Sequence, residues 1–204
     1  MPEFTAADVK RLRDLTGAGM MDCKRALTDA DGDLEKAADL VRERTGAKMQ
    51  GRVGERTAAE GLVHAYLHAP TPGLPAKVGV LVELNCETDF VAKGDAFRQL
   101  ANDIALHVAA MNPAVVREDE VDEALLTKER QFAEQQARAE GKPDHIVDKI
   151  VDGKIKAFYK EKVLLNQPFV KDDQRTVADL LDEFQRTSQE KIEVGRFARF
   201  AVGR

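Results

Sequence analysis

Apolar residues follow two rhythms along this chain, and the change from one to the other divides it. Over the first 45 positions they recur at helical spacing. Val9, Leu12 and Leu15 form one stripe, with Thr5 and Asp8 placed as a capping box and Phe4 and Val9 as a hydrophobic staple. Gly17 and Gly19 stop that helix. A second helix is predicted from about Met20 to Ala30, burying Met20, Cys23, Leu27 and Ala30. Asp31-Gly32 turns the chain, Asp33 caps, and Leu34, Ala37, Ala38 and Val41 repeat at i, i+3, i+4, i+7 until Gly46 ends the third helix. Residues 1–45 are therefore expected to form a small three-helix domain. Residues 46–57, with three glycines beside Lys48, Arg52 and Arg56, read as a linker.

From residue 58 the period shortens to two. Leu62, His64, Tyr66 and His68 alternate with Val63, Ala65, Leu67 and Ala69, and a proline-rich loop over residues 70–75 separates this strand from a second. That second run, Lys77 to Asn85, sets Val78, Val80, Val82 and Leu84 on one face and Leu81 on the other, as a central strand does. Helical spacing returns after Gly94-Asp95, with Phe97, Leu100, Ala101, Ile104, Val108 and Met111 on the face meant to cover the sheet. Asn112-Pro113 closes it. Residues 118–162 are densely charged, broken at Gly141-Lys142-Pro143, and predict a helical pair whose first member is mostly solvated. Val163 to Val170 reads as extended or looped, Thr176 caps a helix through Val177, Leu180, Leu181 and Phe184, and Ile192 to Val202 forms a third strand. The expected fold is α+β: a three-helix domain, then a 58–204 domain with a three-stranded antiparallel sheet, covering helices and a helical pair.

Composition narrows what such a fold can do. Of 204 residues 43% are hydrophobic and 33% charged, and the net charge is −5. A protein that holds nucleic acid through its phosphates needs a basic excess or stripe, so no direct nucleic-acid partner is expected. No apolar run spans a bilayer and the amino terminus carries no secretory pattern. Cys23 and Cys86 stand far apart as free thiols, consistent with a cytoplasmic location. No cofactor is expected, since neither GxGxxG nor GxxxxGK followed by Ser or Thr occurs. His64 and His68 lie four apart on a strand, where that spacing is about 13 Å and too wide for one metal. The acidic groups Glu118-Asp119-Glu120 and Asp172-Asp173 lack calcium-loop spacing. Neither a nucleophile nor a base is set up for catalysis.

What remains is Glu87-Thr88-Asp89-Phe90-Val91-Ala92-Lys93-Gly94, between the central strand and the covering helix, where scaffolds present loops. On residue types alone, Thr88 or Asp89 as a helix cap and Phe90 as a core residue is the favoured reading. Exposure as a contact surface is the rival.

Leu84-Asn85-Cys86-Glu87-Thr88-Asp89-Phe90-Val91-Ala92 resembles the signature of the bacterial elongation factor Ts family, here in its short form. So do residues 15–27, Leu-Thr-Gly-Ala-Gly-Met-Met-Asp-Cys-Lys-Arg-Ala-Leu, and the segments 107–113 and 167–172. The likeness runs in order along essentially the whole chain. It implies a protein without covalent chemistry that speeds GDP release from elongation factor Tu during protein synthesis. It further implies a ubiquitin-associated-type module over residues 1–45 that contacts the partner's GTPase domain, with Met20 and Met21 as expected contacts. The phenylalanine matching Phe90 enters between helices of that domain near the magnesium site, and the aspartate matching Asp89 helps disturb the ion's surroundings. Thr88 and Val91 frame them. His68 matches, in a looser context, a histidine that touches the partner. The longer family form carries two related sheet-bearing halves, and only one is present here. That predicts a homodimer through the main domain, by way of the Ile192–Val202 strand. The rival function is a chaperone-like scaffold that captures other proteins through the helical domain.

Overall fold

A computed structural model describes residues 4–53, 56–71 and 73–203. Helices α1 (Ala6–Thr16), α2 (Met20–Asp29) and α3 (Leu34–Val53) pack around Val9, Leu12, Cys23, Ala26, Leu27, Ala37 and Val41, a small core of their own. The capping box is present in both directions: Thr5 N–H donates to the Asp8 carboxylate at 2.8 Å, and Asp8 N–H donates back to the Thr5 hydroxyl at 3.3 Å. Two expectations fail here. Leu15, in the last turn of α1, and Met20, the first residue of α2, face solvent, Met20 being 48% exposed; Cys23, Ala26 and Leu27 make the inward face of α2 instead. Nor does α3 stop at Gly46; it runs on to Val53, through most of the stretch read as linker. A glycine inside a helix costs only about 1 kcal/mol, so a glycine at position 46 does not by itself end one.

The main domain is built on a three-stranded antiparallel sheet in the order β1 (Glu60–His68), β2 (Val78–Cys86), β5 (Glu193–Ala201). The run of Val78, Val80, Val82 and Leu84 is central as expected, and Ile192 to Val202 supplies the third strand. Helix α5 (Asp95–Met111) lies on one face and buries Phe97, Leu100, Ala101, Ile104, Ala105 and Val108 against Val80, Val82, Leu84 and Val194. It ends where Asn112 turns left-handed at φ 51°, a conformation asparagine tolerates. Helix α8 (Val177–Ser188) completes the layer, starting from the Thr176–Asp179 capping box and setting Phe184 against Phe97 at 5.9 Å.

The opposite face of the sheet carries no layer among the described residues. Its apolar side chains are Val63, Ala65 and Leu67 on β1, Leu81 on β2, and Ala198 and Phe200 on β5, with Glu83 and Arg196 beside them in register with Val63. Ala65, Leu81 and Ala198 are aligned across the three strands. Leu67 and Phe200 are each 72% exposed. On β1 the polar residues point inward instead, His64 reaching Asn102 of α5 at 3.2 Å.

The charged pair is an antiparallel hairpin of α6 (Glu123–Ala139) and α7 (Asp144–Lys162). α6 buries only Ala133 and Ala137, and α7 only Val147 and Ile155, so both members are mostly solvated rather than the first alone. Beyond it the chain forms a short hairpin, β3 (Pro168–Phe169) with β4 (Asp172–Thr176), in place of a plain extended segment. Its second strand, Asp-Asp-Gln-Arg-Thr, has no apolar alternation to announce it.

Register beside the site depends on one glycine. Gly61 sits opposite Asn85, and a Cβ there would lie 2.2 Å from the Leu84 carbonyl oxygen. Gly61→Ala must therefore push β1 off β2. A loss of roughly 2–3 kcal/mol is expected, of the kind a backbone clash in a core strand produces, and denaturant unfolding measures it.

Candidate functional site

The strand-to-helix connection after β2 is a single tight corner. Cys86 is the last strand residue, Thr88 is extended, and α4 (Asp89–Ala92) makes one turn before Gly94 opens α5. Thr88 caps α4 through its hydroxyl, which accepts from Val91 N–H at 3.5 Å. One turn of helix divides its side chains between core and solvent. Val91 and Ala92 pack against the main core, while Phe90 points away and is 86% exposed. The capping half of the favoured sequence reading is correct; the packing half is overturned. Phenylalanine is seldom left this open without cause.

The corner is fastened on all sides. The Thr88 N–H and the Glu87 N–H both donate to Oε2 of Glu190 at 3.1 Å, and the Thr88 hydroxyl donates to Oε1 of Glu190 at 2.6 Å. The Thr88 carbonyl accepts from Ala92 N–H at 3.2 Å and from the Cys86 thiol at 3.2 Å. Burial, with the Glu190 charge nearby, pushes the Cys86 thiol up, so it stays protonated and able to donate. Glu87 returns the attachment, its Oε1 accepting from Lys191 N–H at 2.6 Å and its Oε2 from Arg56 at 2.8 Å.

Asp89 stands beside Phe90, its carboxylate 2.6 Å from Lys93 Nζ. That hydrogen bond, with the lysine charge, holds the Asp89 carboxyl below the usual carboxylate range, so it is ionised at neutral pH. The corner thus offers solvent one aromatic ring and one carboxylate on a rigid base.

The other residues singled out lie elsewhere. His68 ends β1 and pairs with Val78, whereas Cys86 pairs with Glu60, so His68 is at the far end of the sheet, roughly 27 Å away at strand rise. It is exposed, with its Nδ1 3.3 Å from the Tyr66 hydroxyl. Met20 and Met21 are exposed on the helical domain at the start of α2. Glu190 carried no signal in the sequence, because its partners are 102 and 103 positions away. Among the described residues no group of three or more His, Cys, Asp or Glu is arranged to hold a metal ion, and no helix is long and apolar enough to cross a membrane.

Comparison with known proteins extends these observations. The family model described as "Elongation factor TS" matches residues 6–204. The chain is 52% identical to elongation factor Ts of Frankia alni over 202 residues, covering 99% of this chain and 98% of the relative. It is 51% identical to that of Moorella thermoacetica, with 98% and 96% covered. It is 48% identical to that of Oleidesulfovibrio alaskensis, with both chains covered in full. These matches place the protein among the translation elongation factors. The chain belongs to the elongation factor Ts family, which the motifs Leu15–Leu27 and Leu84–Ala92 had indicated.

Proposed function

We propose that this protein is a guanine-nucleotide exchange factor that docks on elongation factor Tu carrying GDP and drives release of the nucleotide, so that GTP can bind. The observation that carries this reading is Phe90, nearly free in solvent on a corner whose base is fastened through every polar group of Thr88. A wedge needs this combination, an apolar tip to be buried in the partner and a mount that does not yield. Burying one phenylalanine contributes about 2–3 kcal/mol. Directed between helices near the partner's magnesium site, that energy displaces the residues that organise the ion's octahedral shell, which tolerates little distortion. Asp89 acts alongside as a charge near the ion; its exposed pairing with Lys93 is weak enough to be exchanged on docking. The protein makes and breaks no covalent bond and needs no cofactor of its own.

The three-helix domain, of ubiquitin-associated type, supplies a second foothold through Met20 and Met21. His68 supplies a third from the opposite end of the sheet. The site of action is the cytoplasm, with no direct nucleic-acid partner. Release of a fluorescent GDP analogue from elongation factor Tu tests the proposal: addition of this protein accelerates it. An unchanged rate with saturating protein rejects the reading and favours a scaffold that binds without altering nucleotide release.

The bare sheet face supports a homodimer. Its apolar centre at Leu81, Leu67 and Phe200 is bordered by Glu83 and Arg196, which neutralise each other at 2.7 Å, so a second copy meets no net charge. Such a self-complementary patch suits two-fold pairing. Light scattering at micromolar concentration is expected to give twice the mass of one chain, and Leu81→Asp to give a single chain. A monomeric wild type rules the dimer out.

A further inference from the structure

We infer that Glu190 is a positioning residue for nucleotide exchange: its carboxylate is the seat on which the Asp89-Phe90 tip is held at working height. The inference rests on the exchange reading above and adds a residue outside the tip motif. Glu190 lies in the turn between α8 and β5, far from the tip in sequence. Yet its two oxygens take three hydrogen bonds from the corner, two from consecutive backbone N–H groups and one from the Thr88 hydroxyl. Hydrogen bonds to a carboxylate are shorter and stronger than neutral ones. Two adjacent N–H groups converging on one oxygen also fix the direction in which the chain leaves β2. That direction sets where the single turn of α4 points, and hence where the Phe90 ring projects.

The seat is itself anchored. Glu87 holds the Glu190 turn by accepting from Lys191 N–H, and Ile192 N–H donates to the Gln185 side chain at 3.1 Å. The two glutamates therefore bind each other's loops reciprocally, the Glu190 carboxylate on the Glu87 and Thr88 N–H groups and the Glu87 carboxylate on Lys191 N–H. A force applied to Phe90 when it enters a partner passes into Thr88, then through Glu190 to α8 and β5, rather than into a loop that could fold back. Glu190 need not touch the partner to matter.

The experiment compares the wild type with Glu190→Ala and Glu190→Gln in stopped-flow release of a fluorescent GDP analogue, over a range of exchange-factor concentration. Saturating rate and half-saturating concentration are then read separately. Glu190→Ala is expected to lower the saturating rate on the order of tenfold, the scale of a lost charge-assisted hydrogen bond. Its half-saturating concentration should move by less than roughly threefold, because the remaining docking surface is intact. Glutamine can accept from both N–H groups with its carbonyl oxygen and donate to the Thr88 hydroxyl, so Glu190→Gln should stay within about threefold of wild type. Amide hydrogen exchange at residues 87–92 should quicken in Glu190→Ala and not in Glu190→Gln. If Glu190→Ala does not fold, Glu190→Asp carries the same test, since it keeps the charge and withdraws the oxygens by one methylene. A Glu190→Ala rate equal to wild type overturns the inference. So does a loss confined to half-saturation, or an equal loss in Glu190→Gln. A wild type that fails to accelerate release rejects the exchange reading, and this inference falls with it.

Discussion

Replacing Phe90 with alanine is expected to reduce the acceleration of GDP release by about 30- to 150-fold, the value of roughly 2–3 kcal/mol of lost apolar burial at the partner. The same change should leave the thermal midpoint of the free protein nearly untouched, because an 86% exposed ring contributes little to its own fold. Together the two measurements discriminate between roles. A core phenylalanine such as Phe97, fully buried against Phe184, would lose about 3–5 kcal/mol of stability on truncation. Phe90→Leu should recover part of the activity, since shape and burial matter more here than aromatic electronics. Linkage supplies a second check. If the protein weakens GDP binding by a given factor, GDP must weaken binding of the protein by that factor. Titration of Phe90→Ala against partner with and without GDP should show that reciprocal penalty shrink.

Reading Phe90 correctly illustrates how far the amino-acid order reaches. The valines of β2, the face of α5, the Thr5–Asp8 capping box and the Thr176 cap were legible because each depends on neighbours a few positions away. Whether Phe90 or Val91 turns inward was not legible from spacing, since one helical turn is too short to establish a periodicity. The answer depends on where α4 sits against the sheet. β1 presents a similar difficulty. A hydropathy rule would bury Val63 and Leu67, yet they face outward while His64 and Tyr66 face α5. The seat at Glu190 lies beyond any local signal, being a contact between turns about a hundred residues apart. Family motifs pointed to the tip but not to what holds it.

Gln167→Ala is expected to destabilise the main domain by about 2–5 kcal/mol, because it leaves the buried His107 Nε2 and the part-buried Glu161 carbonyl without their partner. Gln167 is 1% exposed and His107 fully buried. The Gln167 amide oxygen lies 2.9 Å from His107 Nε2, and its nitrogen donates to the Glu161 carbonyl at 2.6 Å. On the other side of the ring, Nδ1 accepts from Val170 N–H at 3.1 Å. An accepting Nδ1 leaves Nε2 to carry the proton, so the imidazole is neutral. This chain of bonds ties α5 to the end of α7 and to the β3–β4 hairpin. At about 2–4 °C per kcal/mol for a chain of this size, the midpoint should fall by roughly 10 °C in a thermal melt.

The same imidazole makes stability depend on pH in a defined sense. Burial holds the His107 pKa below its ordinary value of 6.5, despite the opposing effect of the Nε2–H hydrogen bond to the Gln167 amide oxygen. In the window between the two values the unfolded chain binds a proton that the folded chain refuses. Stability therefore rises with pH across that window, is complete above 6.5 and declines as the pH falls below it. Protonation would also put a hydrogen on Nδ1 against the Val170 N–H. His107→Asn should flatten the difference between unfolding measured at pH 5.5 and at pH 7.5. An unaltered slope would assign that dependence to other groups.

The α6–α7 hairpin leaves and rejoins the main domain at one place, where Val115 bridges Val163 and Ala114 N–H donates to the Lys162 carbonyl at 2.8 Å. Its interior contacts are almost wholly with itself, and its ends are already stapled together at the root. The excursion is thus a cassette: it can lengthen or shorten by whole helical turns, or be exchanged for a tight loop, without asking β2, α5 or the Phe90 corner to repack. Reach outward from the fold and integrity of the Phe90 corner are separately adjustable in this architecture, so natural selection can alter the first without disturbing the second.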